Sequence, residues 1–171
     1  ATRTVLAIDP AGRPQVMFPD SMRGLTFVRY MTADLGAWTA NPTLYTLPTT
    51  AAEFDQAIDR TGAIHTVTVD RANVTGSADG VYYGKYDGSL QSTRIDDEGT
   101  AASVSLAIDA RGAPHIAYIS AAGRTLRYAT LRNGQWVTST VAAVVPVATN
   151  GSRQAALALG PDGQPQIAYA S

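Results

Sequence analysis

Leu106-Ala107-Ile108-Asp109-Ala110-Arg111-Gly112-Ala113-Pro114-His115-Ile116 sets the reading of the whole chain. A short apolar run enters Asp-x-x-Gly and a second run leaves it. That is the pattern of a β-hairpin: the aspartate accepts hydrogen bonds from the turn backbone, and the glycine supplies a positive φ at the bulge. The same arrangement stands at Leu6–Val16, Gln56–Thr66 and Leu157–Ile167. The turn glycines Gly12, Gly62, Gly112 and Gly163 follow one another at 50, 50 and 51 residues, which marks tandem repeats. Asp9, Asp59 and Asp109 hold the aspartate position, while the fourth copy has Gly160 there, with Asp162 close by. Pro14, Pro114 and Pro165 suit the first residue of a strand, where a missing N–H costs little.

Working outward, a second signal recurs between hairpins. Leu25–Tyr30, Val81–Tyr86 and Leu126–Thr130 are aromatic-rich candidates for a third strand. Gly36/Trp38, Gly88/Leu90 and Gly134/Trp136 then open a fourth. Nothing shows helical apolar spacing. The expected fold is all-β: four-stranded antiparallel β-propeller blades of about 50 residues, with about 3.5 repeats present. The divisions are 1–52, 53–102 and 103–153 for three blades and 154–171 for the first hairpin of a further one. Stacked blades cover both faces of each sheet, which accounts for first strands that are apolar on both sides. Ala7, Ala57, Ala107 and Ala158 share one register, as crowding near a central axis would favour. The alternative is a β-trefoil, which also has three four-stranded repeats but leaves the fourth hairpin surplus.

The pattern Leu-Ala-Ile-Asp-x-x-Gly-x-Pro-His-Ile-Ala-Tyr, then Leu-Arg-Tyr-Ala-Thr and Gly-x-Trp, is best preserved in Leu106–Tyr118 and Leu126–Trp136. It resembles degenerate propeller repeats of secreted bacterial proteins, related in architecture to sialidase-like and BNR-like propellers. The resemblance runs over nearly the whole chain. It implies the propeller fold and a secreted, periplasmic or cell-surface location. It does not imply one function, because propellers host hydrolases, lectins and scaffolds alike. The Ser-x-Asp-x-Gly-x-x-Trp box of sialidase repeats is absent.

Composition narrows the function classes. The 171 residues are 45% hydrophobic and 16% charged, enough to bury a core. A net charge of −1 argues against nucleic acid as a partner. The longest apolar run, Val141–Ala148, contains Pro146 and is too short to span a bilayer. Without cysteine there are no disulfides and no thiolate metal sites.

Candidate chemistry is sparse. His65 and His115 occupy the same repeat position, three residues after the turn glycine, where the other copies carry Gln15 and Gln166. Glutamine is a poor zinc ligand and no third imidazole exists, so these histidines read as structural and no metal site is assigned. Asp96-Asp97-Glu98 lacks the alternating pattern of a calcium loop and reads as a solvated acidic turn. The insertion Asp70–Gly80, with Asn73 and Asp79, is a place for binding function. Glycosidase chemistry needs two carboxylates flanking a bond. Both glutamates, Glu53 and Glu98, fall between repeats, and most aspartates are used by turns. Arg13, Arg60 and Arg111 sit in the turns as well. No catalytic residue is assigned, and no cofactor is implied.

Aromatic residues are the better binding signal. Tyr82, Tyr83, Tyr86, Trp38 and Trp136 are the candidate ligand-binding residues, since sugars stack on such rings. Their recurrence once per repeat also suits packing of blade on blade. The reading favours a non-enzymatic binding or scaffolding module for glycans or protein partners. Further blades would come from a longer protein or from a homo-oligomeric ring. The alternative is a fragment of a glycosidase or sialidase-like catalytic propeller.

Overall fold

The computed structural model describes residues 4–22, 25–34, 37–40, 53–70, 80–96, 101–120, 124–143 and 154–170. Fourteen strands and no helix are found among them. The first sheet joins β1 (Val5–Ile8), β2 (Pro14–Met22), β3 (Leu25–Asp34) and β4 (Ala37–Ala40) in that order. The second joins β5 (Phe54–Ile58), β6 (Ile64–Asp70), β7 (Gly80–Tyr86) and β8 (Leu90–Asp96). The third joins β9 (Ala101–Ile108), β10 (Pro114–Ser120), β11 (Thr125–Arg132) and β12 (Gln135–Ala143). A two-stranded sheet of β13 (Ala155–Leu159) and β14 (Pro165–Tyr169) follows. All pairing is antiparallel and stays within one sheet. A trefoil would join strands of different repeats into one barrel, and the described strands form no such barrel.

The turn residues act as their chemistry requires. Asp59 Oδ1 accepts the N–H groups of Thr61 (2.8 Å) and Ala63 (3.0 Å), and Gly62 N–H closes on the Asp59 carbonyl at 3.0 Å. Asp9 and Asp109 do the same in their own hairpins. Gly12, Gly62, Gly112 and Gly163 have φ of 79, 88, 84 and 76°, a region that penalises a β-carbon. The fourth hairpin explains its own exception. There Asp162 Oδ1 takes the Gln164 N–H, and a β-carbon at Gly160 would lie 2.7 Å from that same oxygen. With the carboxylate at position 162, any side chain at 160 would have to displace it, so glycine leaves this turn undisturbed.

Successive sheets stack through their first strands, with β1 beside β5, β5 beside β9 and β9 beside β13. Alternation along each strand sends one set of side chains to the preceding sheet and the other to the following one. Val5 and Met17 meet Phe54 between the first two sheets. Val67, Val69 and Val81 meet Val104, Ile116 and Tyr118 between the second and third. Ile119 and Leu126 meet Ala155 between the third and fourth.

Polar side chains complete these interfaces. The outer edge of each first strand pairs with its hairpin partner, but its inner edge has no strand beside it. Asp55 Oδ2 accepts the Leu106 N–H at 2.8 Å, and Ser103 and Ser105 Oγ accept the Ala155 and Leu157 N–H groups at 3.0 and 3.1 Å. In the other direction, Gln56 Nε2 donates to the carbonyls of Val5 (3.2 Å) and Gln15 (2.9 Å). Asp96 is not a solvated turn residue. It is buried at the end of β8 and accepts the Tyr118 hydroxyl and Arg127 Nη1 from the third sheet, the latter at 3.0 Å.

Asp55→Ala strips the acceptor from a buried N–H on the neighbouring sheet. The expected loss is about 1–3 kcal/mol of unfolding free energy, read from the urea midpoint. Asp55→Asn, which keeps an acceptor oxygen, should recover most of it, whereas Asp87→Ala on the exposed β7–β8 turn should leave the midpoint unchanged.

Candidate functional site

The hairpin turns of successive repeats lie side by side. A β-carbon at Gly112 would stand 3.9 Å from Asp59 Oδ2, so the third turn rests against the second. A β-carbon at Gly62 would meet nothing within 4 Å. Between the first and second turns lies a cleft of about 670 Å³. That volume lies in the range of small-molecule sites.

The cleft is lined by Asp9, Arg13 and Gln15 of the first hairpin, by Thr61 of the second, and by Tyr86 and Asp87 at the β7–β8 turn. Arg13 Nε donates to Asp9 Oδ2 at 2.8 Å, which fixes the guanidinium at the wall. The N–H of Arg13, together with its guanidinium, holds the Asp9 carboxyl below the usual carboxylate range in spite of burial. An acid held ionised in this way suits a turn anchor and not a proton donor. Gln15 is buried, and its Oε1 accepts no hydrogen bond from the protein. Gln56, which bonds the Gln15 carbonyl, has a second such oxygen. Buried acceptors of this kind are rare and call for a donor.

The register sorts the sequence candidates. Tyr86 pairs with Ile64 and Tyr82 with Thr68, while Tyr83 pairs with Val67. Paired residues share a face, so Tyr82 and Tyr86 face the first sheet and Tyr83 faces the third. Tyr86 is half-buried in the cleft wall. Tyr83 is buried and meets the Trp136 ring edge-on, with centroids 5.0 Å apart. Tyr83 and Trp136 therefore join sheet to sheet and lie apart from the cleft. Trp38 falls on β4 opposite Ala33, with its side chain outside the described residues. Residues 71–79, with Asn73 and Asp79, and residues 97 and 98 also lie outside them.

The two histidines complete hydrogen-bonded chains inside their own sheets. His65 Nε2 bonds Asp59 Oδ2 at 3.2 Å and Nδ1 bonds the Tyr83 hydroxyl at 2.6 Å. His115 Nδ1 bonds the Tyr128 hydroxyl at 2.5 Å, with Nε2 3.8 Å from Asp109. A neutral ring protonated at Nε2 serves both neighbours of His65. Burial lowers the His65 pKa from its ordinary value, against the opposing pull of Asp59. His115 is lowered for the same reason. Burial is the largest single influence on Asp59 and opposes its ionisation. The hydrogen bonds from Thr61, His65 and the turn backbone outweigh it and bring the carboxyl to about 2.

No protein-family model matches the chain, and no curated protein matches it. Among solved structures, it is similar to a fucose lectin from Kordia zhangzhouensis in complex with methyl-fucoside, with 13% identity and a TM-score of 0.49. That match covers 80% of this chain and 97% of the lectin. It is also similar to the Hadza microbial sialidase Hz136, with 11% identity and a TM-score of 0.54. There the match covers 97% of this chain and 39% of the sialidase, so the chain spans well under half of that protein's length. At such identity the sialidase likeness is one of fold: antiparallel β-sheets in the same general arrangement.

The depressed histidines predict acid sensitivity. An unfolded histidine takes up a proton near pH 6.5 and the folded ones resist it, so the unfolded state gains protons first and stability falls as pH drops below about 6.5. Thermal unfolding followed from pH 8 to pH 5 should show a falling Tm. His65→Gln/His115→Gln, which installs the residue that the first and fourth repeats use, should flatten that dependence while leaving the pH 8 fold intact.

Proposed function

We propose that this chain is a non-enzymatic carbohydrate-binding module, an arc of propeller blades whose ligand lies in the cleft between the first two sheets. The observation that carries this reading is a cleft of small-molecule size that presents the Arg13–Asp9 pair and the Tyr86 ring, with the undonated Gln15 Oε1 buried behind its wall. A sugar suits these groups. Its hydroxyls accept from a guanidinium and donate to a carboxylate, and its C–H face covers an aromatic ring. Asp9, held ionised by its own turn, suits an anchor and not the general acid that glycoside hydrolysis needs. A secreted or cell-surface location suits a glycan ligand.

The second reading, a fragment of a glycosidase, draws on the likeness in fold to a much longer sialidase. It would need carboxylates from outside this chain.

A glycan array probed with the protein, followed by calorimetry on the best hit, tests the proposal. Arg13→Ala and Tyr86→Ala should each weaken binding about ten- to hundredfold, as expected for losing a charged hydrogen bond or a ring platform, with the circular dichroism spectrum unchanged. Tyr83→Phe, which alters the far face of the same strand, should bind as the parent does. Binding that survives both cleft substitutions would overturn the assignment of the site, and turnover of a fluorogenic glycoside would favour the second reading.

A further inference from the structure

The three sheet-to-sheet interfaces share one construction. The face a first strand turns toward the following sheet carries small residues: Val5 and Ala7 on β1, Asp55 and Ala57 on β5, Ser105 and Ala107 on β9. The face it turns toward the preceding sheet is bulkier, with Leu106 and Ile108 on β9 and Leu157 and Leu159 on β13. Large side chains of one strand thus fit against small ones of its neighbour, and Leu106 is only 7% exposed as a result. This gives the alanine register its reason: Ala7, Ala57 and Ala107 leave room for the sheet that follows.

Two halves of this interface stand uncovered. Leu6 and Ile8 hold on β1 the register that Leu106 and Ile108 hold on β9, since Leu6 pairs with Val16 as Leu106 pairs with Ile116. They are 60% and 55% exposed. At the other end, Ala156 and Ala158 on β13 occupy the small face and are exposed too. One flank offers large apolar knobs and the other a shallow apolar seat, and the molecule joins such knobs to such a seat at β5–β9 and β9–β13, while at β1–β5 Gln56 takes the first knob position.

We propose that a second copy of this chain docks head to tail, with Leu6 and Ile8 of one copy seated on Ala156 and Ala158 of the next. The interface is continuous in design with the internal ones and heterologous in symmetry, so it can be repeated until a ring closes or a filament grows. It is less complete than the β5–β9 and β9–β13 interfaces in one respect. Asp55 and Ser105 each accept an N–H from the following strand, and their counterpart on β13 is Ala156, which brings no oxygen.

Sedimentation velocity of the 171-residue chain should show species heavier than the 17.9 kDa monomer, growing with concentration. Leu6→Ser/Ile8→Ser should give a monomer, and so should Ala156→Phe/Ala158→Phe, both folded by circular dichroism because all four positions are exposed. Mixing the two monomeric variants is the decisive arm. Each retains one intact flank, so together they should form a one-to-one dimer and nothing larger. Ala156→Ser, which restores the oxygen that Ser105 supplies, should tighten association severalfold. A parent chain that stays monomeric at high concentration would overturn the proposal, and so would variants that still assemble or a mixture that does not pair. The glycan-array result bears only on the cleft, so either proposal can fail without the other.

Discussion

The inner edge of each first strand is the constraint on which the array depends. A β-strand with one unpaired edge presents a row of N–H and C=O groups, and burying them unsatisfied costs more than the stacking of sheets can easily return. Here the neighbouring sheet supplies single side chains in place of a strand. Asp55, Ser103 and Ser105 accept, and Gln56 donates. Each is buried, so each is held in register by the apolar packing beside it. Packing and hydrogen bonding fix the same relative position of two sheets, and neither would be as specific alone.

The fold was legible in the sequence because its signals are local. An aspartate that takes two N–H groups from its own turn, and a glycine at positive φ three residues on, require only the hairpin they build. The fourth copy shows a variant of this chemistry: with the carboxylate two residues on, glycine at 160 leaves room for it. The alternation along Tyr82-Tyr83-Gly84-Lys85-Tyr86 was also readable, although reading the rings as one binding group overlooked it. A strand sends neighbours to opposite faces, so Tyr83 went to the Trp136 side and Tyr86 to the cleft.

The site was less legible, for a physical reason. The cleft is a gap between the turns of two repeats, so it depends on how those repeats sit together and not on one stretch of sequence. No residue type encodes such a gap. Arg13 looked like turn composition and Gln15 like a stand-in for histidine, and both descriptions are true of their local structure. What the sequence did offer was the change from His65 and His115 to Gln15 at one repeat position. An imidazole can bond a turn aspartate and a tyrosine at once, as His65 does. In the first repeat the Gln15 amide nitrogen approaches Asp9 at 3.4 Å and the amide oxygen is left over. Asp96 shows the opposite case: three acidic residues in a row suggested solvent, yet the first of them is buried under Tyr118 and Arg127.

Pairing confined to consecutive strands has a kinetic consequence. Among the described residues, every ladder joins segments that follow one another along the chain, with no strand waiting for a partner from a distant repeat. Short loops close quickly, and a topology of local contacts shortens the search for the native state. As the polypeptide leaves the ribosome, each sheet can therefore assemble on the one made before it, and synthesis itself supplies the order in which the structure accumulates.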